Sequence, residues 1–147
     1  MDIINLSKRT KARSGKIEIY WFENKQIDLK NTQFHRVTIS LDPFDSGLDY
    51  VRQPEETEIV FEWYKLNLVD PEELDGLNLS TKNYPEAEAS IYIGNAHNWC
   101  DVKELVLRKM DSNRFEAIGS IIVDFESERV GKNEKFDFST IVQITSA

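Results

Sequence analysis

Apolar and polar residues alternate with a period of two along much of this chain, most clearly in its last third. Between Ile118 and Ile144, one run places Ile121, Val123 and Phe125 on one face. A second places Phe136, Phe138, Thr140, Val142 and Ile144 on one face, after a polar turn at 130–134. Successive side chains of a strand point to opposite sides of its sheet, so this period predicts half-buried β-strands.

The same alternation recurs upstream. Lys16–Glu23 sets Ile17, Ile19 and Trp21 against Glu18, Tyr20 and Phe22. Phe34–Leu41 follows, and Glu58–Leu66 sets Ile59, Phe61 and Trp63 against Val60, Glu62 and Tyr64. Ala89–Gly94 is a short β-like run. Residues 102–110 read two ways: Asp101 and Glu104 match a helix cap, whereas the turn-like Asp111-Ser-Asn-Arg114 favours a strand over Leu105–Met110. Asp70-Pro-Glu-Glu-Leu-Asp-Gly76 carries helix punctuation: a capping Asp70, Pro71 in the first turn, Glu73 placed for a capping box and a closing Gly76. Pro43, Pro54, Pro71 and Pro85 all fall in breaks between runs. These elements predict a mainly β fold, an antiparallel β-sandwich of about seven strands with one short connecting helix. Residues 1–15 read as a basic flexible arm, and 16–147 as a single β-sandwich domain.

Composition adds a marked polarity of charge. The 147 residues carry a net charge of −8. Residues 1–16 hold Lys8, Arg9, Lys11, Arg13 and Lys16 against Asp2, whereas 54–88 hold ten acids and two bases. So acidic a body repels phosphate backbones and attracts a basic protein, which argues against a nucleic-acid partner. Solubility alone calls for the same balance. No apolar run reaches the roughly 18 residues of a membrane span, and the first residues do not resemble a secretory signal. Cys100, the one cysteine, forms no internal disulfide, so a cytoplasmic location is expected.

The densest chemistry lies in Gly94–Asp101, read as a loop. There His97 as base, Cys100 as thiolate and Asp101 as orienting group form a fallback catalytic set. Protease signatures around Cys100 are missing, as are phosphate-loop and nucleophile-elbow motifs. Asp42, Asp45 and Asp49 offer oxygen ligands, yet turn capping needs the same residues, so neither metal nor cofactor is assigned. Asp124, Glu126 and Glu128 share one side of a strand reading and form a second acidic face. Trp21, Trp63 and Trp99 could form a sugar-stacking platform, but two of them, Trp21 and Trp63, sit within strand patterns, so core packing is the better reading.

No family signature is present. In size, acidity, lone cysteine and want of catalytic motifs, the chain resembles small acidic bacterial immunity proteins, which neutralise a co-produced toxin by binding it. The resemblance implies a non-enzymatic protein that inhibits a basic toxin. Glu55, Glu56, Glu58, Asp70, Glu72, Glu73 and Asp75 would then steer the partner, with Tyr50 and Tyr84 as aromatic anchors. The alternatives are a small hydrolase using His97, Cys100 and Asp101, or a ligand- or carbohydrate-binding β-sandwich.

Overall fold

The alternation says which side of each strand is buried but not what buries it. In the computed structural model, which describes residues 2–146, the sheet buries its apolar side against itself. Seven strands follow one another as a meander: β1 (Ala12–Asn24), β2 (Leu29–Leu41), β3 (Glu58–Tyr64), β4 (Glu88–Ile93), β5 (Ala96–Lys109), β6 (Arg114–Val123) and β7 (Glu134–Ser146). They close into a barrel, so the expected β-sandwich is incorrect. Both architectures use the same period of two, which cannot separate them.

Closure follows from strand count and curvature. Neighbours in a meander run antiparallel, so with seven strands the first and last point the same way. β1 and β7 accordingly pair in parallel, Gly15 opposite Val142 and Ile17 opposite Ile144. Register shifts bend the wall, at His35/Val37 between β2 and β3 and at Val102/Glu104 between β5 and β6. Two glycines permit close approach. A Cβ on Gly15 would lie 2.6 Å from the Thr38 carbonyl oxygen, and one on Gly119 would lie 2.3 Å from the Phe138 ring. Closure pairs β1 with β7 over Gly15–Ile19 and so removes the free edge along that stretch of the ladder.

The interior is filled by Ile17, Ile39, Phe61, Leu105, Phe115 and Phe136 among others, all buried. One end is capped by the N-terminal segment expected to be a flexible arm. There α1 (Leu6–Arg9) follows Ile4, and both Ile4 and Leu6 are buried. The Glu134 carboxylate accepts the backbone N–H groups of Asn5 (2.8 Å) and Leu6 (2.9 Å), while Arg9 donates to the Asp45 carbonyl (2.6 Å).

The connector between β3 and β4 completes the wall. Beyond Cys100 the edge of β5 is no longer paired with β4, and residues 76–81 take over. Thr81 N–H donates to the Val102 carbonyl (2.9 Å), Leu79 N–H to Leu105 (2.8 Å) and Leu107 N–H to the Leu77 carbonyl (3.0 Å). The capping box read from Asp70 and Glu73 is formed around a 3₁₀ turn at Pro71–Leu74, and Leu74 is buried beneath it. Residues 102–109 are strand throughout, the continuation of β5. Among the described residues no helix is long and apolar enough to cross a membrane.

Candidate functional site

Three expectations about surface residues change once the strands are in place. The first concerns Gly94–Asp101. Only Gly94 and Asn95 form a turn, both with positive φ (67° and 58°), as a two-residue hairpin requires. His97 onward is strand, so His97 and Asp101 face outward while Cys100 packs against the core. His97 and Cys100, three positions apart, thus lie on opposite sides of the sheet. Burial pushes the Cys100 thiol up to about 12, and its Sγ contacts the Asn98 carbonyl (3.7 Å). Asp101 pairs with Lys103 at 2.7 Å, which holds its carboxyl below the usual range. The structure therefore does not bring these three side chains together.

The second concerns the acids of the connector. Asp70 accepts the Glu72 N–H (2.9 Å), Glu73 accepts the N–H groups of Val69 (2.6 Å) and Asp70 (2.8 Å), and Asp75 accepts the Lys109 N–H (2.8 Å). Glu72 pairs with the Lys109 ammonium. Glu55 accepts the Gly94 N–H at 3.0 Å, pinning the β4–β5 turn. Tyr84 is half-buried against Tyr64, ring centroids 5.5 Å apart, whereas Tyr50 is exposed with its hydroxyl near Gly94.

The third concerns Asp124, Glu126 and Glu128, which do not share a strand face. β6 ends at Val123, because Asp124 accepts both the Ser127 N–H (3.1 Å) and its hydroxyl (2.6 Å), turning the chain. Those bonds hold the Asp124 carboxyl below its ordinary value. Glu126 and Asn133 exchange bonds of 3.0 Å across the same connection, and Glu128 is exposed within it.

What the fold does assemble is the outer face of β3, β4 and β5. Its middle row runs Thr38, Val60, Ser90, Trp99 across four strands. On one side lie Ser40, Glu58, Tyr92 and His97; on the other, Arg36, Glu62 and Glu88. Small Val60 and Ser90 form a floor between taller neighbours. The result is a groove of about 510 Å³ whose walls include Arg13, Glu56, Glu58, Tyr92 and His97. Tyr92 is 49% and Trp99 53% exposed, and the Tyr92 ring stands edge-on to His97 with centroids 5.2 Å apart.

None of the three tryptophans belongs to the core, contrary to the core packing expected from the strand patterns around Trp21 and Trp63. Trp21 is 62% exposed where the β1–β2 hairpin overhangs the barrel. Trp63 has φ +69° at the β3 bulge, which reverses the alternation: Tyr64 turns inward, and Trp63 outward onto Phe22 (5.2 Å) and Phe34 (5.3 Å). The outward set Glu88, Ser90, Tyr92 is visible in the sequence as the complement of Ala89, Ile91, Ile93. Its continuation at His97 and Trp99 is masked by the polar residues of that stretch, which resemble a loop.

No protein-family model matches the chain, and no curated protein or solved structure does either.

Proposed function

We propose that this chain is a non-enzymatic binding protein of the immunity type, which captures a basic protein on the outer face of β3–β5. The observation that carries the reading is the pair of exposed aromatics, Tyr92 and Trp99, among Glu56, Glu58 and Glu88. None of these three carboxylates has an ion-pair partner among the described residues. Aromatic side chains ringed by charge supply both parts of protein recognition: burial of a large ring gives affinity, and complementary potential gives rate and selectivity. Relative to the expectation from sequence, Glu56 and Glu58 stay in the binding set, and Tyr92 and Trp99 replace Tyr50 and Tyr84 as anchors.

The test is recovery of a partner from native cells at low and at high ionic strength, with wild type beside Trp99→Ala. A basic protein held at low salt, released by added salt and lost in the variant is the expected result. Recovery that ignores both salt and the variant counts against the face.

A carbohydrate-binding platform draws on the same exposure of Trp99 and Tyr92. Stacking of a neutral sugar is indifferent to salt, so the same salt series separates the two readings.

A further inference from the structure

The barrel already carries one arginine stacked on its outer wall, and its surroundings resemble the neighbouring face. The Arg36 guanidinium lies over the Tyr20 ring, 4.8 Å from its centroid. It donates to both carboxylate oxygens of Glu18 at 3.3 Å and to Glu62 at 3.5 Å. Trp63 and Phe34 wall the ring in, at 6.2 Å and 6.1 Å. Arg36 thus combines an aromatic face with a fork onto carboxylates, which a planar guanidinium satisfies and a compact ammonium does not.

One strand further on, the same ingredients recur. Glu62 stands directly opposite Glu88, and of this like-charge pair Arg36 reaches Glu62. Beyond it the face offers Glu58, Glu88, Tyr92 and Trp99. Arg13 lines the groove yet makes no ion pair among the described residues. Resting on the protein-binding reading above, we infer that this face recognises an arginine-bearing segment of the partner. The guanidinium lies against Tyr92 or Trp99 and is forked by Glu58 or Glu88. A lysine finds the same charge there but gains less from the rings and cannot engage a carboxylate with parallel donors.

The purified full chain is titrated with dye-labelled hexa-arginine, hexa-lysine and a neutral maltohexaose, with thermal midpoints recorded for every variant. Hexa-arginine is expected to bind about five-fold or more tighter than hexa-lysine. Trp99→Phe should keep most of that preference, and the double variant Tyr92→Ala/Trp99→Ala should abolish it with little change in midpoint. Equal binding of the two cationic peptides overturns the arginine inference and leaves the basic-partner reading standing. An arginine preference that survives the double variant also overturns the inference, because the site is then elsewhere. Binding of maltohexaose alone, or of nothing, overturns both.

Discussion

Two acidic regions of this barrel look alike as strings of letters and behave differently in space. In the connector at 70–75, each carboxylate is occupied by the chain itself: Asp70 and Glu73 close a capping box, Asp75 accepts a β5 amide and Glu72 meets Lys109. On the outer face of β3 and β4, Glu58 and Glu88 make no ion pair among the described residues, and Glu88 confronts Glu62. Net charge counts both regions equally. The backbone decides which acids are consumed in holding the fold and which remain to be read by a partner.

The contrast can be broken most strongly at Leu74, the buried foot of the connector. Leu74→Ala should cost about 2–5 kcal/mol of stability. In denaturant titrations the midpoint should fall, while the folded fraction keeps its affinity for hexa-arginine. A loss of affinity in the folded protein would show that the connector belongs to the binding face.

Reversing Glu58 and Glu88 together to Lys should do the opposite. Affinity for the cationic peptide should fall at least about ten-fold, about 1.4 kcal/mol, with the thermal midpoint nearly unmoved. Calorimetric titration beside a melting curve measures both.

The inner side of the same wall makes the comparison sharper through pH. His35 is 2% exposed, its Nδ1 has no partner among the described residues, and burial holds its pKa below the ordinary imidazole value. The unfolded chain therefore takes up this proton at a higher pH than the folded one. The contribution of His35 is intact above its unfolded value of about 6.5 and is lost as pH falls below it, by at most about 1.4 kcal/mol per pH unit. Urea midpoints measured on wild type and His35→Leu should diverge in slope over that range. Parallel curves would remove His35 as the cause.

Smaller effects separate the two acidic regions residue by residue. Asp70→Ala should destabilise by about 1 kcal/mol through loss of the cap. Glu88→Gln should stabilise by a few tenths of a kcal/mol, roughly, by easing its opposition to Glu62. If both lower the melting midpoint alike, Glu88 holds the fold as the connector acids do.

Local features were legible because they depend on near neighbours. The capping box needs only Asp70 and Glu73 in register, and it forms where the spacing places it. The strand at 135–144 needs only its own period, and β7 covers it. The site was far less legible. Trp63 is displaced outward by a bulge that no pattern announces, and Trp99 lies on a strand whose polar letters resemble a loop. Glu58, Tyr92 and Trp99 come from three strands, and their proximity depends on registers set across the barrel.

The order of residues was enough to specify most of the strands, a capped turn and, away from the β3 bulge, the side those strands bury, since all three are short-range consequences of side-chain direction and backbone chemistry. Closure into a barrel, the parallel seam at Gly15 and the use or release of each carboxylate were settled by packing. Those features depend on how distant segments approach one another in space, and alternation along a single strand carries no record of that approach.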